Sequence, residues 1–200
     1  MKRVIFENTY GYEDFITDNE RLELESWALN IKDDMSRAKP VNGKDDKQDG
    51  EDLIRHFAKL SGFSNIPDLF ERLKKKIIEI EGIENYLPAP INGDWLGILG
   101  ENSYVEPHRD DNLNSDYYTR RYNLLVSTPK DGGRPIYDGK FIPIKDKTLW
   151  RCDAGLVTHT SEKVIGDKLR INLSFGFSIP IEWEREQKRK ENGKNIKSLI

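Results

Sequence analysis

A chain of 200 residues has room for one sizeable domain with its own core, whereas two domains of half that length would each be small. It is polar, with 34% charged and 36% hydrophobic residues, but 8 Phe, 8 Tyr and 4 Trp argue against disorder, and a net charge of -3 gives no general pull toward nucleic acid or an anionic membrane. Cys152 is the sole cysteine, which excludes an internal disulfide; the first residues lack a signal peptide's apolar core, no run could span a bilayer, and a cytoplasmic setting is expected.

The first half reads as mainly helical. Phe15, Leu22, Leu24, Trp27, Ala28 and Ile31 predict an amphipathic helix between about Tyr12 and Met35, with Thr17 or Asp18 as its cap. Ser36 to Gly50 is polar and punctuated by Pro40, Gly43 and Gly50, so it reads as an exposed loop and a candidate lid. A short helix is expected from Asp52 to Leu60, stopped by Gly62. A longer one opens at Pro67 and runs to about Ile80, burying Leu69, Phe70, Leu73, Ile77 and Ile80. Lys74, Lys75 and Lys76 read as its solvated face rather than a basic patch.

After Leu87-Pro88-Ala89-Pro90 the pattern changes to short apolar or alternating runs. Strands are expected at Trp95–Leu99, Ser103–Glu106, Tyr122–Ser127, Pro135–Tyr137, Lys140–Ile144, Thr148–Arg151, Leu156–His159 and Arg170–Ile179. Asp131-Gly132-Gly133 and Asp138-Gly139 mark turns between them. The predicted fold is α+β and mainly β. A double-stranded β-helix (jelly roll) core over 91–181 is supported by N-terminal helices of 1–90 packed on one sheet, and a charged tail covers 182–200, all in a single domain 1–200.

Two of the three histidines fall in a polar constellation, His108-Arg109-Asp110 followed by His159 and Arg170. In an extended segment His108 and Asp110 share a face, and His159 would complete a 2-His-1-carboxylate set with metal positions left open. An H-x-D pair alone is weak evidence, and His159 also reads as a core histidine bonded to backbone. Arg170, Asn172 and Ser174 alternate with apolar neighbours, so they share one strand face, which is either solvent-exposed or the lining of a polar pocket. In a pocket, Arg170 is suited to forking a dicarboxylate.

From Trp95 to Phe177 the chain resembles the Fe(II)/2-oxoglutarate-dependent oxygenases, in their prolyl 4-hydroxylase-like branch. The resemblance rests on Tyr104-Val105-Glu106-Pro107-His108-Arg109-Asp110, Arg121-Tyr122-Asn123-Leu124-Leu125-Val126 before Gly132-Gly133, Lys147-Thr148-Leu149-Trp150, and His159-Thr160-Ser161-Glu162-Lys163-Val164 with Gly166 and Arg170. It implies that His108, Asp110 and His159 ligate iron and act in catalysis, and that Arg170 binds the distal carboxylate of 2-oxoglutarate. Asn172, Ser174, Tyr122 and Asn123 are further candidates for the cosubstrate pocket, strand facing deciding between the last two. The implied activity is hydroxylation of an unactivated C–H of an amino acid or peptidyl side chain, proline-type favoured, releasing succinate and CO2 with O2 consumed and ascorbate as an optional reductant.

Gly100 and Tyr104 lie further from the H-x-D pair than in typical members, and Gly176 stands where the nucleic-acid demethylase branch has a second arginine, which moves the substrate away from nucleobases. Trp95, Tyr118 and Trp150 are candidate cavity walls, the Asp111–Arg121 segment a candidate substrate loop, and Arg109, Arg120, Arg121 or Arg134 candidates for a substrate carboxylate. The alternatives are a jelly-roll or cupin small-molecule binding protein and a metal enzyme that does not use 2-oxoglutarate. Oligomeric state is not legible.

Overall fold

A computed structural model describes residues 1–35, 54–83, 87–88, 93–187 and 189. The loop expected at 36–50 and most of the charged tail lie outside these residues. In chain order the strands and α-helices are β1 (Lys2–Ile5), β2 (Tyr10–Glu13), α1 (Asp18–Ile31), β3 (Arg55–Lys59), α2 (Asp68–Glu81), β4 (Leu87–Pro88), β5 (Trp95–Leu99), β6 (Tyr117–Ser127), β7 (Asp131–Gly132), β8 (Pro135–Tyr137), β9 (Lys140–Phe141), β10 (Leu149–Cys152), β11 (His159–Ser161), β12 (Val164–Ile165) and β13 (Arg170–Pro180), with 3-10 turns at Lys32–Asp34 and Leu60–Gly62. The protein is mainly β, as expected. Its large sheet runs β1-β2-β10-β6-β13-β5-β3, with β4 on β13, and β11-β8-β9 and β12-β7 form smaller sheets.

The centre of the large sheet follows from alternation. On β13, Ile171, Leu173, Phe175 and Phe177 join the main core, while Arg170, Asn172 and Ser174 line a cavity on the other face. Phe70 of α2 stacks on Phe175 with ring centroids 4.6 Å apart, so α2 covers the apolar face of the strand that carries Arg170. Both helices start near the expected places. Thr17 and Glu20 form a reciprocal capping box on α1, and Gly82 ends α2 at φ 61, a left-handed conformation that costs glycine little.

The N-terminal half departs from the mainly helical expectation. β1, β2 and β3 all join the large sheet, and the expected helix at Asp52–Leu60 is, in its described part, edge strand β3 paired with β5. Pairing with a waiting strand edge overrides helix propensity in so short a segment. The lysine run is not simply solvated: Lys74 pairs with Asp94 at 2.6 Å and Lys76 donates to Phe15 O at 2.6 Å, leaving Lys75 outward, and Ile80 is only half-buried.

Three expected strands also differ. Residues 103–108 form no strand, because Ser161 Oγ takes the N–H of Val105 and Pro107 has none to give; they run beside β11 through isolated bonds. At Leu156 the chain turns, with Leu156 N and Val157 N both bonded to Asp153 O, so β11 begins only at His159. Pro143 follows soon after the two-residue β9, shorter than the expected Lys140–Ile144 run.

Candidate metal centre

His108 and His159 are 51 positions apart in the chain but form an antiparallel bridge, with His108 N donating to His159 O at 3.1 Å and His159 N to His108 O at 2.9 Å. Bridged residues point the same way, and the two ring centroids lie 4.2 Å apart. Each Nδ1–H donates to a backbone carbonyl, His108 to Glu106 O at 2.7 Å and His159 to Val157 O at 3.3 Å. Both Nε2 atoms are thereby aimed at a shared centre, and each offers it a lone pair in the neutral ring. Asp110 supplies the third group: its Oδ1 lies 3.4 Å from His108 Nε2 and 3.7 Å from His159 Nε2. The three potential ligand atoms all fall within 4.8 Å of one another.

Asp110 and His159 are held in the protonation states that ligate a cation. Burial alone would raise the Asp110 carboxyl, but the hydrogen bond with His108 and the charges of Arg121 and His159 outweigh it and hold the group well below the usual carboxylate range. His159 is pushed down to about 4, by burial first and then by His108, so it is neutral at physiological pH. His108 moves up: burial lowers it, but bonds to Asp110 and to Glu106 O prevail. An ion at the cluster would displace that His108–Asp110 contact.

The cluster opens on a cavity of about 550 Å3, within the usual range for small-molecule sites. Its walls come from the inner face of the large sheet (Arg55 and Phe57, Trp95 and Gly97, Arg121 and Asn123, Trp150, Arg170, Asn172 and Ser174) and, opposite, from Val105, His108, Pro135, His159 and Thr160. Arg170 is 5% exposed, and its guanidinium makes no ion pair or hydrogen bond among the described residues. Burial alone lowers it to about 10, which leaves it charged at neutral pH. An unpaired buried cation is costly, and an anionic ligand at this wall would relieve the cost.

Strand facing separates the neighbouring candidates. Asn123 lines the cavity and accepts from Asn172 Nδ2 at 3.3 Å. Tyr122, considered for the pocket from sequence, is turned into the main core, where its hydroxyl donates to Glu81 at 2.8 Å. Tyr118, considered for a wall, is also core, whereas Trp95 and Trp150 line the cavity.

The candidate substrate arginines divide as well. Arg109 lines the cavity mouth, Arg134 pairs outside it with Glu162, and Arg120 is buried in ion pairs with Asp153 and Glu184. Arg121 pairs with Asp110 itself. In the Asp111–Arg121 segment only the two ends reach the cavity, since Asn112 and Thr119 fasten the segment to itself and Tyr118 and Arg120 are buried. Arg55, Phe57, Gly97 and Thr160 were missed. Arg55 and Phe57 share one face of β3, but Arg-His-Phe-Ala-Lys carries no apolar alternation that would have marked it as a strand.

No family model matches the sequence, and no curated protein does. Similarity appears among solved structures. A Trichoplax adhaerens prolyl hydroxylase, in complex with a hypoxia inducible factor oxygen degradation domain peptide fragment, superposes with TM-score 0.62 at 14% identity over 88% of this chain and 85% of that one. A Pseudomonas putida prolyl-4-hydroxylase gives 0.58 at 12% identity, covering 85% of this chain and 91% of its own. HygX from Streptomyces hygroscopicus, with nickel, 2-oxoglutarate and hygromycin B bound, gives 0.59 at 10% identity over 86% and 83%. At such identities the likeness is one of fold. The chain has the fold of prolyl-4-hydroxylases and HygX, and the resemblance read from its sequence holds at that level.

Proposed function

We propose that the protein is an Fe(II)- and 2-oxoglutarate-dependent dioxygenase that hydroxylates an unactivated C–H of an amino acid or peptidyl side chain, proline-type favoured. One observation carries the reading: the guanidinium of Arg170, unpaired among the described residues, shares a cavity with the His108–Asp110–His159 cluster. A metal centre alone gives no reason to bury that charge. A ligand with one carboxylate for Arg170 and donor atoms for a metal at its other end accounts for both.

His108 and His159 would hold Fe(II) through Nε2 and Asp110 through Oδ1. Bound iron and 2-oxoglutarate supply the oxidising chemistry, consuming O2 and releasing succinate and CO2. The chain's own part is binding, orientation and shielding. Arg170 fixes the distal carboxylate, Asn172, Ser174 and Asn123 flank the ligand's path, and Trp95, Trp150 and Phe57 restrict water. On this reading the large sheet and β11-β8-β9 are the two walls of a jelly roll within a single cytoplasmic domain. The substrate enters past Arg109.

Anaerobic addition of Fe(II) and 2-oxoglutarate should produce a weak visible charge-transfer band that His108→Ala and Arg170→Ala both abolish. With O2 and ascorbate, amino acids and proline-containing peptides are then screened for gain of one oxygen and for succinate. Absence of the band in the wild-type protein would sink the proposal and favour a non-catalytic binding protein. Metal binding with no response to 2-oxoglutarate would favour a metal enzyme of another kind.

A further inference from the structure

We propose that Arg121 is a positioning residue that keeps Asp110 a one-oxygen metal ligand and so preserves an open coordination position; the inference rests on the metal-centre reading above. The two carboxylate oxygens of Asp110 have different surroundings. Oδ1 faces both imidazoles, at 3.4 and 3.7 Å, while Oδ2 accepts from Arg121 Nε. Arg121 is itself fixed, since it is only 8% exposed and its Nη1 donates to Gly93 O at 3.2 Å and Ser174 Oγ at 3.3 Å.

For Asp110 to chelate with both oxygens, Oδ2 would have to leave a charge-assisted bond in a buried place. Carboxylates bind metals through one oxygen or two, so this restraint has a choice to make. The surrounding loop does not need Arg121 for its course. Asp110 N bonds to Ala154 O at 2.9 Å, the His108–His159 bridge anchors one side, and Asn112 and Thr119 anchor the other. What Arg121 adds is a fixed donor at one oxygen of a ligand.

The test titrates Mn(II) into wild type, Arg121→Gln and Arg121→Lys and follows water-proton relaxivity, which counts exchangeable waters on the metal. Releasing Oδ2 should leave Mn(II) bound but remove about one of roughly three water positions, lowering relaxivity by about a third. The affinity of the Mn(II) protein for 2-oxoglutarate should weaken roughly 10–100-fold in Arg121→Gln, and less in Arg121→Lys. If Arg121→Gln does not fold, Arg121→Lys carries the test in the same direction, because an ammonium cannot bridge Asp110, Ser174 and Gly93 together. Wild-type relaxivity and 2-oxoglutarate affinity in every variant that folds would overturn the proposal. So would complete loss of Mn(II), since a change of denticity leaves three ligands in place. Mn(II) binding that survives His108→Ala would overturn the metal-centre reading and this inference with it, whereas Arg170→Ala should lose only 2-oxoglutarate.

Discussion

A guanidinium with no counter-ion in a protein interior destabilises the fold that holds it, and Arg170 on β13, which has none among the described residues, carries that cost. Replacing it with methionine removes the buried charge while keeping a flexible side chain of similar length. Arg170→Met should therefore stabilise the ligand-free protein by roughly 1–3 kcal/mol and, under the proposed function, abolish the stabilisation expected of the wild type when metal and 2-oxoglutarate are added. Urea unfolding with and without the two ligands measures both effects; a ligand-free variant no more stable than wild type would show that Arg170 is compensated after all. The candidate site residues His108, Asp110, His159 and Arg170, which share one cavity, stood out in the sequence because each is a rare or charged side chain in an informative spacing. Arg121 was seen only as a candidate for substrate. Its partner Asp110 is 11 positions away across a loop, and no periodicity connects them.

At the scale of elements, α2 holds the site strand by packing against its back. Phe70 and Phe175 are both nearly inaccessible, so Phe70→Ala leaves a cavity directly behind β13. It should cost roughly 3–5 kcal/mol in urea unfolding. A cost below about 1 kcal/mol would mean that the stack is incidental. This helix was readable because Leu69, Phe70, Leu73 and Ile77 repeat at helical spacing and all are buried. β3 was not, because Arg55–Lys59 is short, half-buried and shows no apolar face, and its conformation comes from pairing with Trp95–Leu99. The same applies to β1, whose exposed residues become a strand only beside β2. Apart from β2, whose Tyr12 joins the core from a strand of four residues, elements with a buried face announced themselves, whereas those recruited by a neighbour's edge did not.

Across the whole molecule, two buried polar networks tie distant segments together on the side of the sheet away from the cavity. Glu81 at the end of α2 accepts hydroxyls from Tyr10 and Tyr12 of β2 and from Tyr122 of β6. Nearby, Arg120 and Arg151 share Asp153 and Glu184, which joins residues 181–187 to β6 and β10. Burial raises both acids, but Arg120 and Arg151 more than offset it, so Asp153 and Glu184 titrate below their ordinary values in the folded protein. The unfolded chain then binds more protons than the folded one as pH falls through the ordinary carboxylate range near 4. The stabilisation is complete above that range and is lost as pH falls through the lowered folded values. Acid unfolding should accordingly steepen below about pH 4. Glu184→Gln should weaken the fold at pH 7 by roughly 1–3 kcal/mol, because Arg120 keeps only one of its two acids, yet show a shallower loss between pH 5 and 3. Urea midpoints at a series of pH values test the sign: parallel curves for wild type and Glu184→Gln would mean that the network adds nothing pH-dependent to folding.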